Sequence, residues 1–176
     1  WGPYLLQLFA EEGFGVLEID NQGSANRGIQ FESAIHGKMG QQEVEDQKLG
    51  SKILSSFDWA AKDRVGIFGH SYGGYMSLMC LCKAPSHFKS AVAVAPVCDW
   101  RLYDTHYTER YMGQPEENEA GYLEGNVLTH LPMLQGQLLL MHGMADDNVL
   151  FTHSTMIINE LQKLNKQFEL MLYLSL

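Results

Sequence analysis

Residues 64–85, RVGIFGHSYGGYMSLMCLCKAP, constrain the fold more than any other stretch. The run 64–70 reads as a short apolar strand, and 73–85 reads as a helix stopped before Pro85. Between them lies Gly69-His70-Ser71-Tyr72-Gly73, a G-x-S-x-G pattern. At a strand-to-helix turn this pattern has a mechanical meaning. The chain turns sharply and presents the serine at the carboxyl end of the strand. Glycines two residues either side relieve crowding, and the amide of the next residue, Tyr72, is placed to bind an oxyanion. The helix that follows adds its positive dipole end. The plainer alternative is a serine in a glycine-rich turn. The strand before and the helix after favour a nucleophile.

The rest of the chain repeats the alternation. Helical spacing is read over 4–13, where Leu5, Leu8 and Phe9 share a face, and over 40–61, where Val44, Leu49, Ile53, Leu54 and Phe57 recur. A third helix is expected over 150–166. Strands are expected over 14–20, 90–97, 137–143 and 168–174, with a loop at 21–28 and an irregular region with short helical pieces at 98–135. Strands this apolar, separated by helices, predict an α/β fold: a mostly parallel sheet with helices on both faces, in one domain. The long 98–135 connection is of the kind that carries function.

A serine nucleophile needs a base, and the base needs an orienting acid. In this architecture the order along the chain is serine, acid, histidine. The acid is expected in MHGMADDNV (141–149), after strand 137–143, where Asp146 and Asp147 are adjacent and at most one orients the base. A solvated acidic turn is the alternative for that pair. Of the histidines after Ser71, His87, His106, His130 and His142 precede this loop, and His153 lies on a helix only seven residues beyond the acid. None is in the expected place, which is after strand 168–174. His70, beside the serine, is not its partner. The base is therefore expected just past Leu176. The abrupt beginning at Trp1-Gly2-Pro3, without a leader, likewise reads as the inside of a longer protein, truncated at both ends.

Three stretches, GHSYGGYMSLM (69–79), APVCDWRLYDTHYTERYMG (95–113) and HGMADDNVLF (142–151), together resemble the catalytic α/β-hydrolase domain of the prolyl oligopeptidase family, and within it the dipeptidyl-peptidase IV branch. DNQGSANRG (20–28) and MGQQEVEDQ (39–47) extend the resemblance over nearly the whole chain. It implies Ser71 as nucleophile, Asp146 as triad acid and the Tyr72 amide as one oxyanion donor. It implies a proline pocket lined by Tyr72, Val97, Trp100, Tyr103, Tyr107 and Val149, with Asn148 holding the peptide backbone. Flat aromatic walls suit a compact apolar ring. The implied activity is release of N-terminal dipeptides ending in proline or alanine, through an acyl-enzyme. An oligopeptidase or acyl-peptide hydrolase of the same family, or a non-catalytic hydrolase-fold module, is the alternative. The family's second oxyanion donor, its amino-terminus-binding glutamates and its β-propeller match nothing in this sequence. The chain also reads Tyr173-Leu174-Ser175-Leu176 where a Tyr-Pro-like turn is common, and Gln22 stands where an arginine is common. The chain alone is expected to be inactive.

Charge and composition limit the partners. Twelve Lys and Arg against twenty-one Asp and Glu give a formal charge of −9, which argues against nucleic acid. No apolar run approaches the roughly 18 residues of a membrane span. A peptide substrate is expected, and the resemblance implies pairing into a homodimer through this domain. No His/Cys cluster has metal-ligand spacing, so no metal or cofactor is implied. Cys80, Cys82 and Cys98 are read as small buried hydrophobes, leaning towards a reducing, cytoplasmic compartment. Glu11-Glu12 is read as a solvated face, and Glu109 and Arg110 as a supporting ion pair.

Overall fold

The computed structural model describes residues 2–174. Trp1, Ser175 and Leu176 lie outside the described residues, and with them the first residue of the Trp1-Gly2-Pro3 start and the last two of the Tyr173-Leu174-Ser175-Leu176 departure. Four strands, β1 (Gly66–His70), β2 (Ser90–Val94), β3 (Gln137–Gly143) and β4 (Glu169–Tyr173), form one parallel sheet in the order β1-β2-β3-β4. Parallel neighbours require crossovers. Helix α1 (Gly2–Glu11), α2 (Ile29–Glu32) and α3 (Gln42–Leu54) precede the sheet. Helix α4 (Tyr72–Lys83) joins β1 to β2. Helices α5 (Thr105–Met112), α6 (Glu119–Glu124) and α7 (Val127–His130) fill the connection from β2 to β3, and α8 (Thr152–Lys163) joins β3 to β4.

Alternation along the strands sorts the two faces. Ala91, Ala93, Leu138 and Leu140 are buried with the apolar side of α4 and with Ile157 and Leu161 of α8. Phe68 projects to the other face, where Phe9 of α1 meets it edge-on with ring centroids 6.0 Å apart. Helices thus lie on both faces, as expected. The three cysteines are free and buried. Burial pushes the Cys82 and Cys98 thiols up to about 12, so they are inert at neutral pH.

Several expectations are corrected. Segment 14–20 forms no strand, because it has no ladder partner among the described residues; Leu17 and Ile19 instead lie against α3 beside Gly50. The helix expected over 40–61 ends at Leu54, and of its expected apolar face only Val44 and Leu54 pack against the core. Glu43, Val44, Gly50 and Ser51 are buried, whereas Leu49, Ile53 and Phe57 are more than 40% exposed. The last strand forms but is exposed along its whole length, because nothing described packs outside this sheet edge. The 98–135 region carries short helices, as expected.

Candidate active site

Ser71 sits at φ 58° and ψ −116°, in the left-handed half of the map that residues with a Cβ avoid. Such a conformation costs about 1–3 kcal/mol and persists only when its surroundings over-determine it. Two backbone bonds do so: Ser71 N–H donates to Val94 O (2.9 Å), and Tyr75 N–H donates to Ser71 O (3.0 Å). The glycines have unequal jobs. A Cβ on Gly69 would lie 2.3 Å from the carbonyl carbon of Gly73, and one on Gly74 would lie 2.6 Å from Val94 O. A Cβ on Gly73 would meet nothing within 4 Å. Crowding is therefore relieved at Gly69 and at Gly74, which lets α4 start close against β2. The first N–H groups of α4 have no helical acceptor, which leaves the Tyr72 amide available beside Ser71.

The loop after β3 opens at the same sheet edge. Ala95 N–H donates to Met141 O (2.8 Å) and Met144 N–H to Tyr173 O (2.7 Å), continuing the ladders just as Ser71 does with Val94. Asp146 Oδ1 accepts from the amides of Asn148 and Val149, each at 3.0 Å. Its Oδ2 lies 3.5 Å from Nε2 of His142. Asp147 is exposed, so Asp146 is the held member of the pair.

Four of the aromatic residues expected to line a pocket come together. Trp100 packs on Tyr72 (5.5 Å between centroids), Tyr103 (5.8 Å) and Tyr107 (6.1 Å), and Tyr103 meets Tyr107 edge-on. Val97 and Val149 are buried in the core cluster against which these rings pack. Tyr103 Oη donates to Asn148 Oδ1 (3.1 Å), tying the aromatic cluster to the acid's loop. Burial lifts the Tyr107 phenol to about 12 and holds Tyr72 far above its usual value, so both remain neutral donors. The Trp100 segment is strapped down by buried Asp99, which accepts from Arg101 (Nη2, 2.6 Å) and from Asn126 Nδ2 (3.0 Å).

Other side chains complete this support without a sequence signal that singled them out. Tyr75 stands behind Trp100 (5.0 Å) and donates to Gly125 O (2.9 Å), while Tyr111 extends the cluster beyond Tyr107. Buried His142 donates from Nε2 to Val149 O and accepts at Nδ1 from Ser154 Oγ, both at 2.7 Å. Only Asp99 followed by Trp-Arg carried a recognisable pattern, that of an N-cap.

The remaining histidines are placed elsewhere. His106 Nε2 accepts from Arg110 (3.1 Å), His130 donates to Glu124 O (2.7 Å) and His153 Nδ1 accepts from Cys98 N–H (3.1 Å). His87 lies against Phe88, and His70 is exposed at the end of β1. The expected Glu109–Arg110 ion pair does not form, because Arg110 turns along the helix to His106, one turn away. Glu11 is exposed and bonded by Gln7. Among the described residues no group of three or more His, Cys, Asp or Glu is placed to hold a metal ion, and no helix is long and apolar enough to cross a membrane.

Comparison with known proteins agrees with this geometry. Residues 3–175 match the prolyl oligopeptidase family. The chain is 45% identical over 174 residues to dipeptidyl peptidase 8 of Mus musculus, covering 97% of this chain and 20% of that protein. It is 41% identical over 141 residues to dipeptidyl aminopeptidase B of Saccharomyces cerevisiae, covering 79% of this chain and 17% of that one. The solved structure of Porphyromonas gingivalis dipeptidyl peptidase 4 superposes with a TM-score of 0.85 at 38% identity, over 88% of this chain and 22% of that one. The chain thus spans about a fifth of the length of these relatives. With its parallel sheet, its serine elbow and these likenesses, the chain has the α/β-hydrolase fold and belongs to the prolyl oligopeptidase family.

Proposed function

We propose that this chain supplies the nucleophile, the acid and the proline pocket of a serine exopeptidase that releases N-terminal dipeptides ending in proline or alanine. The observation that carries the reading is the strained Ser71 elbow, opening at one sheet edge with the amide-held Asp146 and beside the Trp100 aromatic cluster. Ser71 Oγ attacks the scissile carbonyl carbon as a histidine removes its proton. The Tyr72 N–H, with a second donor, holds the oxyanion that forms. The histidine then protonates the departing amine, the C–N bond breaks, and the acyl-Ser71 ester is hydrolysed by water through the reverse sequence. Asp146 fixes that histidine's tautomer with Oδ2, since Oδ1 is occupied by two backbone amides. The hydrogen bonds that engage His106, His130, His142 and His153 support a base from outside the described residues. Tyr72, Val97, Trp100, Tyr103, Tyr107 and Val149 enclose the ring of the second substrate residue, and Asn148, oriented by Tyr103, holds the substrate backbone. The reading includes association of two copies through this domain, which molar mass in solution reports.

The test compares Gly-Pro p-nitroanilide with its N-succinylated form, using the full-length protein. Cleavage of the free dipeptide and not of the blocked one is expected. Cleavage of blocked or internal bonds alone moves the assignment to an oligopeptidase, and cleavage of neither leaves a non-catalytic module.

A further inference from the structure

Glu43 is fully buried on the first turn of α3, far in sequence from Ser71, and the peptidase mechanism does not use it. Both of its carboxylate oxygens accept from Gly40 N–H, each at 3.0 Å. Its Oε1 also accepts from the hydroxyl of Tyr72, at 2.5 Å. Among the described residues it makes no ion pair with Lys, Arg or His. Two donors and no acceptor face the group, the pattern an ionised carboxylate satisfies. A buried carboxylate without a cation is expensive unless its hydrogen bonds are strong, and a short phenol–carboxylate bond is of the strong kind.

Its partner is the residue that follows the nucleophile. Tyr72 offers its amide towards the oxyanion, and its ring packs on Trp100 and Tyr75. One residue thus serves the oxyanion position with its backbone amide and the pocket wall with its ring, and a single bond fixes the far end of that ring. We propose that Glu43 is a positioning residue for Tyr72. It fixes the phenol so that the Tyr72 amide and ring are held together in the geometry that acyl transfer from a proline-containing dipeptide requires. The proposal rests on the peptidase reading above. Glu43 itself touches no substrate. The loop carrying Gly40 is anchored in turn, because Tyr75 Oη lies 3.2 Å from Met39 O and Met39 N–H meets Met112 Sδ at 3.4 Å. The Glu43 anchor therefore stands on fixed ground.

A double-mutant cycle in the full-length protein tests this, with E43Q, Y72F and E43Q/Y72F assayed on Gly-Pro p-nitroanilide. In E43Q the amide oxygen keeps Gly40 N–H and the NH2 faces the Tyr72 hydroxyl, so the phenol O–H loses its charged acceptor and only a reversed, neutral hydrogen bond into its oxygen remains. In Y72F the anchor is lost from the other side. Each single variant is expected to lower kcat/KM by about 10–100-fold, the scale of one charge-assisted hydrogen bond. The double variant is expected to match the singles within about 2-fold, because the introduced amide then serves Gly40 N–H alone and the ring without its hydroxyl asks nothing of it. Multiplying losses in the double variant mean that Glu43 supports the fold and not Tyr72, and overturn the proposal. So does either single variant with kcat/KM within about 2-fold of wild type. If E43Q fails to fold, Y72F decides alone on the same criterion. Wild-type protein that neither hydrolyses the substrate nor labels with a fluorophosphonate refutes the peptidase reading itself, which is a separate result.

Discussion

Replacing Gly69 by alanine tests the elbow geometry directly. The added Cβ would lie 2.3 Å from both the carbonyl carbon and the oxygen of Gly73, and 2.6 Å from its Cα. Carbon contacts settle near about 3.5 Å, so the elbow must open by about 1 Å. The obstruction is backbone, so no rotamer change relieves it. Overpacking of this kind costs about 1–3 kcal/mol. A domain of this size loses about 2–4 °C of melting temperature per kcal/mol, so a fall of several degrees is expected. The same displacement moves Ser71 relative to the Tyr72 amide, and a shift of about 1 Å at a reacting group costs about 100-fold in rate. Gly73→Ala is the internal control. Its Cβ meets nothing within 4 Å, and alanine is the better helix former by about 1 kcal/mol, so its stability is expected to hold or rise. Differential scanning calorimetry and Gly-Pro p-nitroanilide hydrolysis on the full-length protein read both effects. A G69A variant that melts and turns over like wild type, or a G73A variant as damaged as G69A, refutes the reasoning.

Asp146→Asn keeps an acceptor for the Asn148 and Val149 amides but presents an NH2 to the histidine, which favours the wrong tautomer; kcat is expected to fall by about 10³–10⁴-fold, and a loss below about 10-fold contradicts the assignment. Buried His153 accepts Cys98 N–H, and burial lowers its pKa, so the unfolded chain binds its proton more readily than the fold does. That contribution is complete above the unfolded value of about 6.5 and is lost as pH falls below it, so His153→Gln is expected to flatten the decline in melting temperature between about pH 7.5 and pH 5.5. An unchanged slope assigns the decline to other groups. The 176-residue chain alone is expected to hydrolyse Gly-Pro p-nitroanilide at no more than the residual rate of an incomplete triad. Wild-type turnover from that chain shows that one of its own histidines is the base.

The sheet was legible because its strands are apolar runs bounded by turns, and because the G-x-S-x-G pattern joins β1 to α4. The aromatic cluster was legible only through the YDTHYTERYMG likeness, since periodicity does not distinguish a pocket wall from a core. Three things stayed hidden for physical reasons. Leu17 and Ile19 signal an apolar side of the chain, but a strand also needs a partner ladder, which no single segment encodes. Large residues at helical spacing placed the inner face of the helix expected over 40–61 on Val44, Leu49, Ile53, Leu54 and Phe57, yet of these only Val44 and Leu54 pack against the core, and the buried face also carries Gly50 and Ser51, which admit close packing, and Glu43. Glu43 was not singled out, because only folding brings the Tyr72 hydroxyl within 2.5 Å of it. Arg110 illustrates the same limit: adjacency to Glu109 suggested a pair, whereas helical geometry offers it His106.

The central claim, that Ser71 is the nucleophile of the elbow, is tested most directly by covalent labelling of the full-length protein with a fluorophosphonate, followed by tandem mass spectrometry. The account predicts a single stoichiometric adduct on Ser71, loss of Gly-Pro p-nitroanilide hydrolysis in parallel with labelling, and neither in Ser71→Ala. An adduct on a different serine, or dipeptide release surviving in Ser71→Ala, contradicts it.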